Sequence, residues 1–444
     1  MDKEIFSTII RLPLKSVRCH SLKLSPNDWI MPTEFYRICC VYFYDIEQWS
    51  FYKQQLNDEF MNIDRLIRSL TKLIDYYPLL TGTIHIDEND KSTSILFNNN
   101  EKQGILFKAI SMNISMKDFF LLRNSNELIN KIDPLTLFHI RHSRFHCGSV
   151  ALTIQLNHCF ADAHSYFQLI RHWVQLYHEI DFEPIVCHQR SLLYPFQNNI
   201  QINQPQILTI NKEKTFSSIN EIPPSIVKIF RFSTDELERM KNAGKIDLPI
   251  DIDYVSTFHV LCAHLFRHVT LARCLSPSSL TKLYISTDLR PRRQKPNIPS
   301  NYFGNAALYS YLSTTSGDLI NNDHLSYWAA QVHRAIDMTM DEEIENIFNW
   351  IINQSDKSTI RPTCNPMTRD FLITAWNKMG MYSDSDFELN LHPCRITLPL
   401  IETMNGAAIL CSTEKNDGSI DVFLGLDIKT MNNLEKDSNF RKYC

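Results

Sequence analysis

Between Val150 and Asn157, apolar Val150, Leu152, Ile154 and Leu156 alternate with Ala151, Thr153 and Gln155. That period of two predicts a strand. From Tyr166 to Tyr177 the spacing changes: Phe167, Leu169, Ile170, Trp173 and Val174 fall at helical intervals and predict a helix. His158 therefore stands where a strand hands over to a helix, a position that presents chemistry on a rigid support. The same reading predicts a strand over Ile38–Tyr44 and a helix over Asn62–Asp75, with Ile63, Leu66, Ile67, Leu70 and Ile74 on one face. Short strands follow at Thr81–Ile86 and Ser94–Phe97. In the second half, strands are predicted at Val227–Phe232 and Leu283–Thr287, and a capped helix begins at Ser233. A helix over Ser256–Phe266 has Ser256 or Thr257 as its cap, and Ala408–Ser412 with Ile420–Gly425 forms a terminal strand pair.

Alternating strands and helices indicate a mixed α/β fold with two layers in each half. At 444 residues the chain exceeds one ordinary core, so two domains of about 200 residues each are expected. Between 182 and 223 the pattern breaks into proline, asparagine and glutamine, the composition of a crossover. The expected division is 1–185, a linker at 186–222, and 223–444. A hydrophobic fraction of 44% with 21% charged residues is that of a folded globular protein. A formal net charge of −4 leaves no basic footprint for nucleic acid or anionic membrane. No apolar run reaches the length of a membrane span, and the first residues lack a signal-peptide core. Twelve cysteines without a Cys-x-x-Cys pair fit reduced, mostly buried thiols, so a cytoplasmic location is expected; a monomer is the expected state.

Glycine narrows the chemistry. Among ten glycines the closest pair, Gly418 and Gly425, is seven residues apart. Phosphate-binding loops, dinucleotide fingerprints and the Gly-x-Ser-x-Gly elbow need closer spacing, so those enzyme classes are excluded. His-x-x-x-Asp at His158 and Asp162 is weak by spacing alone in a chain with 16 histidines. Its position after an apolar strand suits a general base, because an imidazole titrates near neutral pH. Asp162 either orients that ring or turns away to pair with an arginine. A zinc site using His158, Asp162 and His164 lacks a strong third ligand, and nothing around Cys159 favours a thiolate nucleophile. His259, His264 and His268 recur along one helix as packing or surface residues. Asp288 and Arg290 end a strand and read equally as a solvated pair. Tyr302–Asn305 reads as a turn and Trp376–Phe387 as an exposed loop.

In this order and at these separations, the clusters resemble the BAHD acyltransferases, the hydroxycinnamoyltransferases among them, over almost the whole chain. Tyr76–Gly82 is similar to the family's Phe-Tyr-Pro-Leu-Ala-Gly segment, and His158–Asp162 matches its His-x-x-x-Asp motif. Arg190–Leu193 stands at an Asp-Arg-Thr-Leu-Leu-like stretch, with Gln189 replacing the aspartate. Asn301–Asn305 stands at a Tyr-Phe-Gly-Asn element, and Asp386 with Phe387 opens its Asp-Phe-Gly-Trp-Gly motif.

The resemblance implies two similar chloramphenicol-acetyltransferase-like domains with the active site in a tunnel between them. It implies transfer of an acyl group from acyl-CoA, as co-substrate, to a small-molecule alcohol or amine, without metal or permanently bound cofactor. His158 would be the base. Asp162 would pair with Arg290 and stiffen the loop, and Asp386 would be structural. Ser256, Thr257, Tyr302, Asn305 and Lys378 are the candidates for contact with acyl-CoA or acceptor. Glu388, Leu389 and Asn390 replace Gly-Trp-Gly, so an indole donor near a developing oxyanion is absent from that position. That erosion keeps a catalytically silent small-molecule-binding protein on the same fold as the alternative. A condensation-type domain is disfavoured because Asn157, not a second histidine, precedes His158.

Overall fold

The strand Val150–Asn157 is buried along its whole length, because neighbours flank both edges and helices cover its apolar face. Arg37–Tyr44 runs antiparallel on one side and Phe138–Phe145 antiparallel on the other. The register sets Cys40, Ile154 and Ile140 across from one another, which keeps one face continuously apolar. The computed structural model describes residues 2–11, 21–31, 37–50, 60–97, 103–129, 136–180, 183–196, 201–211, 225–338, 341–388, 391–399 and 405–443.

Two six-stranded sheets organise these residues. The first has the order Lys3–Ile10, Ile105–Met112, Phe138–Phe145, Val150–Asn157, Arg37–Tyr44, Arg395–Thr397. The second runs Ile226–Phe232, Ile420–Leu426, Ala407–Ser412, Phe371–Ala375, Leu280–Asp288, Ala307–Thr315. The sixth strand of the first sheet comes from the second half of the chain, pairing antiparallel with Arg37–Tyr44. Ile63–Tyr76 and Ala163–Tyr177 pack together over the first sheet, where the Trp173 indole donates to Ser69 Oγ at 2.9 Å. Thr257–Arg273 packs against Leu325–Asp337 and Ile428–Lys436 over the second.

The buried cores divide unevenly. One lies within the second sheet and its helices, built on residues such as Val260, Leu265, Ile285, Trp328 and Leu424. The larger core runs from the first sheet into the second half, taking in Tyr284, Trp376, Phe387, Ile409 and Phe423. Among the described residues, no helix is long and apolar enough to cross a membrane.

Most of the expected elements are present with shifted ends. Asn62 caps Ile63–Tyr76, Ser233 forms a capping box with Glu236, and Ser256 caps a helix that continues to Arg273. The strand expected from Thr81 begins at Thr83, because Pro78 opens a single tight turn through Thr81. Phe138–Phe145 shows no clean alternation in sequence, since His139, His142 and Ser143 are buried beside its apolar residues. Much of the expected crossover lies outside the described residues; within it, Leu208–Ile210 pairs antiparallel with Ile360–Pro362.

Candidate active site

His158 sits on a turn held at both ends by side chains. Asn157 Oδ1 accepts from the Cys159 amide at 3.0 Å, and Asp162 caps the following helix by accepting from the Ser165 amide at 2.9 Å. The helix starts at Ala163, so His158 lies off it, and the helical His/Asp chelate weighed from sequence does not form. Asp162 points away from His158 into a buried bidentate pair: Arg290 Nη1 and Nη2 donate to its two oxygens at 3.0 Å each. The Ala306 amide adds a donor at 2.9 Å. Burial pushes the Asp162 carboxyl up, but Arg290 and the amides pull harder and leave it at about 2.

Arg290 is saturated. Besides Asp162 it donates to the Tyr302 and Gly304 carbonyls at 3.0 and 3.2 Å, to Ser165 Oγ at 3.1 Å and to Asp288 at 2.9 Å. Asp288 remains partly exposed and also faces His164 at 3.8 Å. Tyr302, a binding candidate from sequence, is fully buried and does not line the cavity of His158. The guanidinium groups of Arg190 and Arg290 approach its ring at 5.6 and 5.8 Å, and its hydroxyl accepts from Arg190 at 3.2 Å. Gly304 is required by this crowding: a Cβ there would lie 1.7 Å from Arg190 Nη1.

A cavity of about 180 Å³ lies over this turn, walled by both halves of the chain. Met31, Arg37, Ile38, Cys39 and His158 of the first half line it together with Ser286, Asp288, Asn305, Tyr309, Thr374, Trp376 and Ile409 of the second. His164 and Met379 also wall a polar annex of about 360 Å³, which Gln168, Arg171, Asn377, Lys378 and Asp384 line. Lys378 thus stands in the annex rather than beside His158. Ser256 and Thr257 line neither space, the first being occupied in capping its helix. Burial lowers the His158 pKa, against its own backbone carbonyl, Asp162, Asn305 and Asp28, which raise it. The ring is therefore neutral at pH 7 and able to accept a proton. Burial raises the Cys159 thiol far from the thiolate form, which removes it as a nucleophile.

Asp386 lies at the other end of the helix Ala163–Tyr177, where its carbonyl accepts from His178 at 2.7 Å. Phe387 is buried with its ring edge-on to Trp173, Tyr177 and Tyr44. Glu388 accepts from the Met61 amide at 2.7 Å and from the Tyr177 hydroxyl at 3.1 Å. The changed motif is thus built into packing, while Leu389 and Asn390 lie outside the described residues. Asn27 and Asp28 have no counterpart in the sequence reading. Asp28 is fully buried and accepts from the Asn305 side chain at 2.8 Å, and Asn305 also donates to the His158 carbonyl at 2.8 Å.

A family model described as the Transferase family matches residues 4–441. The chain belongs to this family, that of the BAHD acyltransferases. Among its relatives is shikimate O-hydroxycinnamoyltransferase of Nicotiana tabacum, 25% identical over 87% of this chain and 90% of that protein. Anthranilate N-benzoyltransferase protein 3 of Dianthus caryophyllus is also 25% identical, over 95% of each. The fold is shared with TRI101 of F. sporotrichioides, solved with coenzyme A and T-2, at a TM-score of 0.79 and 18% identity over 96% of this chain and 99% of that one. Vinorine synthase gives a TM-score of 0.70 at 15% identity, over 98% and 96%. The two-domain, chloramphenicol-acetyltransferase-like architecture expected of a BAHD member is the one described above. The family includes named O- and N-acyltransferases, so membership alone does not choose between hydroxyl and amine acceptors.

Proposed function

We propose that this protein transfers an acyl group from an acyl-CoA thioester to a hydroxyl or amine of a small molecule, with His158 as general base. The observation that carries this reading is the placing of a neutral imidazole in a cavity between the two halves, on a turn locked by the buried Asp162–Arg290 pair. A neutral imidazole keeps one unprotonated ring nitrogen, and that nitrogen is the one that takes the proton. As the acceptor attacks the thioester carbonyl, His158 removes its proton. When the tetrahedral intermediate collapses, the same imidazolium returns a proton to the departing thiolate. Holding both reactants in one cavity replaces a bimolecular encounter with an oriented attack. No covalent acyl-enzyme is needed.

Asn305 holds the turn at the cavity wall, and Lys378 gives the annex a cation, beside the Arg171–Asp384 pair, for a polar or acidic part of the acceptor. The experiment is release of free coenzyme A thiol from a panel of acyl-CoA donors with phenolic, amine and alcohol acceptors. His158→Ala is expected to lose turnover by roughly a hundredfold or more while keeping its fold. Ordinary rates in that variant sink the assignment. Folded wild-type protein that binds acyl-CoA but releases no thiol with any acceptor favours the silent binding protein instead.

A further inference from the structure

The turn carrying His158 is gripped on a second side. Asp28 and Arg190, both fully or almost fully buried, come within 3.9 Å of one another, although 162 residues separate them in sequence. Arg190 reaches the turn directly, and Asp28 reaches it through the side chain of Asn305. Asp28 Oδ1 accepts from Asn305 Nδ2 at 2.8 Å, and that amide also donates to the His158 carbonyl at 2.8 Å. Arg190 Nη2 donates to the Phe160 carbonyl at 3.0 Å. Asn27 fixes the same strand end by donating to the Asn305 and Ala307 carbonyls at 2.9 Å each. Asp28 is in turn held by Ser25, whose amide and hydroxyl donate to its second oxygen at 2.8 and 2.7 Å.

We infer that Asp28 and Arg190 are positioning residues for His158, a second buried ion pair that clamps the turn in addition to Asp162 and Arg290. Both pairs touch Tyr302, whose ring the two guanidinium groups approach at 5.6 and 5.8 Å. One pair fixes the helix end of the turn at Asp162. The other fixes the backbone at His158 and Phe160, and so sets where the imidazole enters the cavity. A shift of about an ångström there is enough to spoil proton transfer without touching the surfaces that bind substrate.

The inference rests on the reading of His158 as base, and its failure is distinguishable. If His158→Ala abolishes turnover while Asp28→Asn leaves it intact, the base stands and the clamp falls. The experiment measures kcat and KM for acyl-CoA and acceptor in Asp28→Asn and Arg190→Lys, with folding followed by circular dichroism. Asp28→Asn keeps the shape and removes the charge; Arg190→Lys keeps the charge and removes the fork. Each is expected to lower kcat roughly ten- to a hundredfold with both KM values within about twofold of wild type. Wild-type kcat in either folded variant overturns the proposal, as does a loss confined to KM. Insolubility of both variants also overturns it, because the pair would then hold the fold rather than tune the turn.

Discussion

Asp162 has the capacity to activate a histidine but is committed elsewhere. Both its oxygens are taken by Arg290 and by backbone amides, and its carboxyl lies at about 2 against an ordinary 3.8. A carboxylate whose pKa is lower in the folded than in the unfolded chain contributes stability that is complete above about pH 5 and fades as pH falls through the folded value. For Asp162 the shift corresponds to about 2 kcal/mol. Arg290→Ala leaves the buried Asp162 without its counter-charge, and Asp162→Asn leaves the buried Arg290 with only the partly exposed Asp288 as its carboxylate, so each is expected to cost about 3 kcal/mol in denaturant unfolding at pH 7. The Asp162→Asn deficit is expected to shrink between pH 4 and pH 2, and a deficit constant over that range argues against the ion pair. His158 and Asp162 stood out in the sequence because they follow a clean strand, but the pairing with Arg290 came only from the family resemblance, since Asp288 and Arg290 at a strand end read equally as a solvated pair. Asp28 did not stand out, since its partner Asn305 is 277 residues away and only the folded chain brings them together. The burial of Tyr302 away from the cavity was hidden for the same reason: the sequence displays an aromatic turn residue, not the two arginines that approach it.

Ala163–Tyr177 joins two sites with different duties. Its 15 residues span roughly 22 Å, with Asp162 at the chemical end and Glu388 at the other. Its burial pattern was readable from Tyr166 onward, but its first turn was not, because capping by Asp162 rather than apolar periodicity decides where it starts. At the far end, burial raises the Glu388 carboxyl above its ordinary range, while the Met61 amide and the Tyr177 hydroxyl draw it down. A raised carboxylate pKa has the opposite sign to Asp162: the ionised form costs stability as pH rises past the unfolded value. Glutamine at 388 keeps an oxygen for both donors without a buried charge. Glu388→Gln is therefore expected to melt at or above the wild-type temperature at pH 7. Glu388→Ala, which strands two buried donors, is expected to lose about 2 kcal/mol. A Glu388→Gln variant that melts well below wild type shows that the charge itself is needed. Either result, with turnover unchanged, separates this element from the chemistry at His158.

At the scale of the whole molecule, each half of the chain completes the other. Alternation along the sequence predicted two α/β halves, but the short segment Arg395–Thr397 carries too little periodicity to announce a strand. Still less does it announce a strand that joins the sheet built by the first half. The larger core likewise crosses between halves, with Trp376 edge-on to Phe167 and Phe387 against Trp173. The cavity of His158 has walls from both sides, so its shape depends on the same contacts. A fragment of residues 1–222 would expose the edge of Arg37–Tyr44 and the apolar surface that Phe387 and Trp376 cover. It is expected to be insoluble or partly folded when expressed alone, while residues 223–444, which retain the second core, are the more soluble fragment. Co-expression of the two is expected to recover a soluble complex that unfolds in one transition and that releases coenzyme A thiol with His158 intact. A first fragment that is soluble, monomeric and cooperatively folded by itself would mean that strand and core exchange contribute little. The arrangement of His158 between the halves would then rest on local contacts within the turn.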